Sequence, residues 1–121
     1  FIDSTLAYQV YGKGVDKNLV SIIHKKILGS LKPDLTFILK VNIEKALQRV
    51  KKRKVINRYD KFSKRFYKKV QNGFLRLAKS DKKRYFVIDN SKDTDETEKI
   101  IFTRYMKLFK KWTLKTKLAR Y

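Results

Sequence analysis

Arg49 and Arg53 stand four residues apart, and Arg58 follows in a basic stretch with no clean apolar period. On a helix the first two share one face. A guanidinium stays charged and grips phosphate oxygens with a planar fork, which suits a reaction that depends on positioning and on stabilising charge. The competing reading is a solvated basic face, because Lys51, Lys52 and Lys54 surround these arginines. Other chemistry is thinly supplied. Cysteine is absent and His24 is the single histidine, so the sequence offers no disulfide framework and no Cys or His metal cluster. Gly12-Lys13-Gly14 lacks the spacing of the Gly-x-x-x-x-Gly-Lys-Ser/Thr phosphate loop and lacks a strand before it.

The elements that must position these groups can be read from the pattern. Asp16 caps a predicted helix over about 17–29, with Leu19, Val20, Ile23 and Ile27 at helical spacing and Gly29 and Pro33 ending it. Leu35 to Val41 is nearly continuous in apolar and β-forming residues and reads as a strand buried on both faces. Asn42 caps the next helix, with Glu44 near its positive end and Ile43, Ala46, Leu47 and Val50 on one face. From about residue 60 a stripe of Phe62, Phe66, Val70, Phe74 and Leu77 predicts another helix. Tyr85 to Asp89 is a second short strand, and Asn90 to Thr94 is turn-like. A last helix carries Ile101, Tyr105, Leu108 and Trp112, and residues 115–121 read as a frayed basic tail.

That order predicts an α/β fold with two parallel strands and four to five helices. Two strands of the buried type make a poor sheet alone, so they read as part of a larger one. The start at Phe1 agrees with that expectation.

Composition narrows the partners. Thirty-two Lys and Arg against eleven Asp and Glu give a formal charge of +21, which attracts any polyanion. The lysines run through every segment instead of massing on one arm, so a basic solvated surface explains them as well as a nucleic-acid site does. Lys or Arg interrupts every apolar stretch well before the about 20 residues that a membrane span needs. The sequence is read as that of a soluble chain, and the lack of cysteine is compatible with the cytoplasm.

The opening Phe1-Ile2-Asp3-Ser4-Thr5-Leu6-Ala7-Tyr8-Gln9, then Tyr11-Gly12-Lys13-Gly14-Val15-Asp16, resembles a segment of the thymidylate kinases. In that family Ser-x-x-Ala-Tyr-Gln precedes a Gly-rich basic turn and a helix. Leu31-Lys32-Pro33-Asp34-Leu35-Thr36 is similar to the family's approach to its next strand, and Arg49 to Asp60 looks like its arginine-rich lid. Phe66-Tyr67, Gly73 to Ala78, and Val87-Ile88-Asp89-Asn90-Ser91 continue the match, in order, to about Trp112. Lys13 stands where the family often has Arg, and Val10-Tyr11 where its turn is often more open.

The resemblance implies a partial P-loop NTPase fold of the nucleoside monophosphate kinase type. It implies one domain over 1–114 with a lid at about 51–60, the phosphate loop lying upstream. The implied activity is phosphorylation of dTMP to dTDP by ATP in dTTP synthesis, with this stretch inactive alone. The lid arginines Arg53, Arg49 and Arg58 are the implied catalytic groups. Ser4, Thr5, Tyr8 and Gln9 would surround the deoxynucleotide, where a hydroxyl and an amide can read a pyrimidine edge and the Tyr8 ring can crowd out a 2′-hydroxyl. Asn90 and Ser91 would lie against the adenine of ATP. Mg²⁺ would accompany ATP with its main ligands upstream, and the chain would form a homodimer, the helix from Asp16 being a candidate interface. The alternatives are a small basic nucleic-acid-binding module and a relic that only associates with partners.

Overall fold

The computed structural model describes residues 1–52, 62–92 and 95–118. Helix α1 (Ile2–Thr5) runs straight into a π-helical segment (Leu6–Gly12). Then come α2 (Lys17–Leu28), β1 (Thr36–Lys40), α3 (Ile43–Lys51), α4 (Lys64–Ser80), β2 (Tyr85–Asp89) and α5 (Glu96–Leu118). The chain divides into two compact units, Phe1–Ser91 and Lys92–Tyr121. The class is α/β, as expected.

Local signals in the sequence set the helix ends. The Asp16 carboxylate accepts the Leu19 N–H at 2.8 Å, and Gly29 takes φ +56° after α2, a region that glycine enters at little cost. Asn42 accepts the Lys45 N–H at 3.1 Å, and Ser63 accepts the Phe66 N–H at 3.2 Å. Each bond satisfies a donor that the first helical turn would otherwise leave unpaired. Helix α5 continues past Lys115 to Leu118, beyond the frayed end expected there, since no Gly or Pro interrupts residues 114–118.

β1 and β2 pair in parallel, with Thr36 opposite Tyr85 and Lys40 opposite Asp89. The strands are less covered than their composition suggests. Ile38, Tyr85 and Ile88 are buried, but Leu39 is 47% and Val87 39% exposed. Among the described elements α4 packs on both strands, and strands of this composition need helices over both faces to be fully covered. Ile38, Leu77, Ala78 and Tyr85 form one core cluster, with Leu6, Tyr11 and Phe74 packed against it.

Two glycines let the π-helical segment lie close on α4. A Cβ on Gly73 would stand 2.7 Å from the Tyr11 Cβ, and one on Gly12 would stand 2.8 Å from a Phe66 ring carbon. Both distances are below ordinary contact, so larger residues would push the segment away. The α4 stripe read from the sequence supplies this contact: Val70 and Leu77 are buried, and Phe62, Phe66 and Phe74 are half-buried.

Candidate functional site

The helical stretch from Ile2 to Gly12 has two faces. Asp3, Ala7 and Gly12 are buried against the unit, while Ser4, Thr5, Tyr8 and Gln9 line one open cavity of about 330 Å³. The step from residue 3 to 7 is an α-helical turn. The step from 7 to 12 is one residue longer because the backbone has gone over to i→i+5 bonding, as in the Lys13 N–H to Tyr8 carbonyl bond at 3.1 Å. Thus the four positions singled out in the sequence share one cavity. The Thr5 hydroxyl donates to the Phe1 carbonyl at 3.0 Å, which leaves its lone pairs free to accept. The Tyr8 ring meets Phe66 at 6.0 Å and Phe74 edge-on at 6.4 Å between centroids, spacings at which aromatic pairs attract.

Tyr8 also lines a second, apolar cavity of about 180 Å³ shared with Ile43, Leu47, Tyr67 and Phe74. This places α3, the helix carrying Arg49, across an apolar space from the Tyr8 ring. No sequence signal marked that space; the 62–77 stripe pointed only to core.

The second group of expected site residues gathers at the C-terminal ends of the strands. The Asn90 N–H donates to the Lys40 carbonyl at 2.7 Å, extending the ladder by one bond. The Ser91 N–H donates to the Asp89 carboxylate at 2.9 Å, and the Ser91 hydroxyl accepts the Asn42 N–H at 3.2 Å. The Ser91 carbonyl lies 3.5 Å from the Arg49 guanidinium, a long and weak bond. Both ends of α3 therefore meet Ser91. The Ser91 hydroxyl, followed by its backbone N–H, holds the Asp89 carboxyl below its ordinary value. Arg53 and Arg58, and with them most of the lid expected at about 51–60, lie outside the described residues.

Two charged contacts were not anticipated. Glu44 pairs with Lys64, joining α3 to α4, and that bond lowers the Glu44 pKa. Asp3 pairs with Arg84 and accepts the Tyr85 hydroxyl, and all three groups are largely buried. Asp3 and Arg84 are far apart in sequence, and no local pattern predicts such a pair. Among the described residues no three His, Cys, Asp or Glu side chains converge as metal ligands, and no helix is long and apolar enough to cross a membrane.

Residues 1–101 match the family model described as thymidylate kinase. A thymidylate kinase of Sulfurihydrogenibium sp. is 40% identical over 101 residues, which cover 84% of this chain and 48% of that relative. One from Geotalea daltonii is 34% identical over 110 residues, covering 85% of this chain and 51% of its own. The chain thus spans about half the length of the curated relatives it matches. Among solved structures, the thymidylate kinase of Ehrlichia chaffeensis superposes with a TM-score of 0.52 at 33% identity, over 73% of this chain and 38% of that one.

Proposed function

This chain belongs to the thymidylate kinase family, and from that premise we propose that its complete polypeptide transfers the γ-phosphoryl group of ATP to dTMP, giving dTDP for dTTP synthesis. The observation that carries the proposal is the single cavity lined by Ser4, Thr5, Tyr8 and Gln9. It presents two hydroxyls, an amide and a fixed phenol ring, a set suited to a pyrimidine deoxynucleotide. In this reading residues 1–114 are part of one domain, with the lid at about 51–60. Arg53, with Arg49 and Arg58, steadies charge on the transferred group as the lid closes. Asn90 and Ser91 receive the adenine at the strand ends.

Mg²⁺ supplies charge neutralisation at the ATP phosphates in such reactions. The described residues offer no ligand cluster for it, so no magnesium ligand is assigned to this chain and no step is routed through the ion. Dimerisation is proposed through α2, whose Ile22 and Ile27 are 61% and 64% exposed. A cytoplasmic setting and non-specific electrostatic binding of nucleic acid complete the reading.

The test assays the complete polypeptide for ATP-dependent phosphorylation of dTMP, dUMP, UMP and dCMP, with Arg53→Ala beside it. Selective turnover of dTMP is expected, falling roughly 10³-fold in the variant, in line with the loss of an arginine from a phosphoryl-transfer site. Turnover of none of the four, with tight salt-sensitive RNA binding instead, would overturn the proposal in favour of a nucleic-acid module.

A further inference from the structure

Asp3 lies on the buried side of the same helical turn whose open side carries Ser4 and Thr5. One carboxylate oxygen accepts the Tyr85 hydroxyl at 2.5 Å, and the other pairs with an Arg84 guanidinium nitrogen. The guanidinium in turn lies 4.5 Å from the centroid of the Tyr85 ring. Tyr85 belongs to the core through that ring, so the first residue of β2 and the residue before it hold Asp3 from two directions.

We propose that Asp3 is a positioning residue, and that its clamp between Arg84 and Tyr85 fixes the rotation of the helical segment that presents Ser4, Thr5, Tyr8 and Gln9 to the nucleoside monophosphate. The inference rests on the functional reading above. Energetics point away from a stabilising role alone. A buried ion pair roughly breaks even against apolar residues of the same volume, because both charges lose water. This one also leaves the Arg84 Nε buried without a hydrogen-bond partner among the described residues, a further cost. What such a group adds is direction. Apolar contacts tolerate a helix sliding or turning by a fraction of an ångström, whereas two bonds on one carboxylate tolerate neither.

Direction matters here because of the segment's shape. Four candidate ligand residues sit within six positions of Asp3, and Leu6–Gly12 is π-helical, with a single residue of side-chain offset already built in. The Gly12 and Gly73 contacts hold the far end on α4; Asp3 holds the near end. Substrate groups must be held to within about 0.5 Å to act, and a misplacement of about 1 Å can cost 10²-fold.

The experiment compares the complete wild-type polypeptide with Asp3→Asn and Tyr85→Phe by calorimetric titration of dTMP and, separately, of a non-hydrolysable ATP analogue. In folded Asp3→Asn, dTMP affinity is expected to fall about tenfold or more while affinity for the ATP analogue stays within about twofold. Tyr85→Phe, which keeps the ion pair, should show a smaller loss of the same kind. Equal dTMP affinity in wild type and folded Asp3→Asn would overturn the proposal, as would parallel loss for both nucleotides. If wild type binds another monophosphate in place of dTMP, the substrate reading fails and the positioning role is scored on that nucleotide. Amide hydrogen exchange gives an arm without ligand. Asp3→Asn, or Tyr85→Phe should Asp3→Asn not fold, should speed exchange over Thr5 to Gly12 and leave the centre of α4 unchanged. Unchanged exchange there would also overturn the inference.

Discussion

The Tyr85 hydroxyl donates to the Asp3 carboxylate at 2.5 Å, joining two residues 82 positions apart in the chain. Burial first, and then this bond and the carboxylate's charge, push the phenol's pKa up. A phenol whose folded pKa exceeds its unfolded value binds its proton more tightly when folded. The stability it contributes is therefore fully present below the unfolded pKa of about 10 and is lost as pH rises through the folded value.

Tyr85→Phe tests this directly. At pH 7 the variant should be less stable by about 1–3 kcal/mol, because a buried carboxylate loses a donor. Above about pH 10 the wild type should begin to lose its advantage, so the gap in urea-unfolding free energy should narrow. A gap that stays constant or widens with rising pH would show that Tyr85 does not hold its proton in this way.

Gly73→Ala should destabilise the chain even though alanine is the better helix former by about 1 kcal/mol. The new Cβ would stand 2.7 Å from the Tyr11 Cβ, an atom fixed to the backbone. Overpacking of this kind costs about 1–3 kcal/mol. Gly12→Ala should cost less, since the nearest atoms, a Phe66 ring carbon at 2.8 Å and a Val70 methyl at 3.0 Å, lie farther from their backbone than the Tyr11 Cβ does. Urea midpoints of the two variants measure the difference, and a stabilised Gly73→Ala would contradict the close packing.

Local features of the fold were legible in the sequence because they obey local rules. Asp16, Asn42 and Gly29 act where their types predict, the α4 stripe falls as its period indicates, and the strands fall within the apolar, β-forming runs, though less covered than those runs suggest. Of the candidate site, Ser4, Thr5, Tyr8 and Gln9, marked in the sequence, share a cavity, whereas nothing in the sequence marked the approach of Arg49 to the Ser91 carbonyl. The π-helical step at Leu6–Gly12 was not legible, because no residue in the run forbids an α-helix and the segment's close contacts are with Gly73 and Phe66, far along the chain. Nor was the Asp3 clamp, which joins residues 81 and 82 positions apart in the chain.

Ser91 joins the loop after β2 to the start of α3, and its hydroxyl is the leading cause of the lowered Asp89 pKa. A carboxyl with a depressed folded pKa contributes stability above its unfolded value, near 3.9, and loses it as pH falls through the folded value. Ser91→Ala removes the hydroxyl while keeping the backbone N–H. The Asp89 titration, followed by side-chain carboxyl NMR, should move up toward the ordinary range. An unchanged midpoint would assign the shift to the Ser91 backbone N–H and, after it, to Lys40 and Lys45.

Asn42→Ala removes the side-chain acceptor for the Lys45 N–H. Loss of an N-cap costs about 0.5–2 kcal/mol. With that acceptor gone, the first turn of α3 should fray before the rest of the unit. Amide exchange at Glu44 to Ala46 should rise in the variant, with the α4 amides unaffected. Equal exchange would mean that Ser91 alone holds the start of α3.

Tyr8→Leu carries the substrate reading furthest. The Tyr8 ring is braced by Phe66 and Phe74 and lines the cavity shared with Ser4, Thr5 and Gln9. A ring held on two sides cannot retreat from a 2′-hydroxyl, so it should reject a ribonucleotide by bulk. Pocket discrimination of one small group is about 10- to 200-fold. The ratio of kcat/KM for dTMP over ribothymidine 5′-monophosphate should therefore fall roughly tenfold or more in Tyr8→Leu, mainly through faster reaction of the ribonucleotide. Tyr8→Phe keeps the bulk and should keep the ratio. Paired steady-state kinetics on the complete polypeptide decide the point, and an unchanged ratio in Tyr8→Leu would remove Tyr8 from the sugar site.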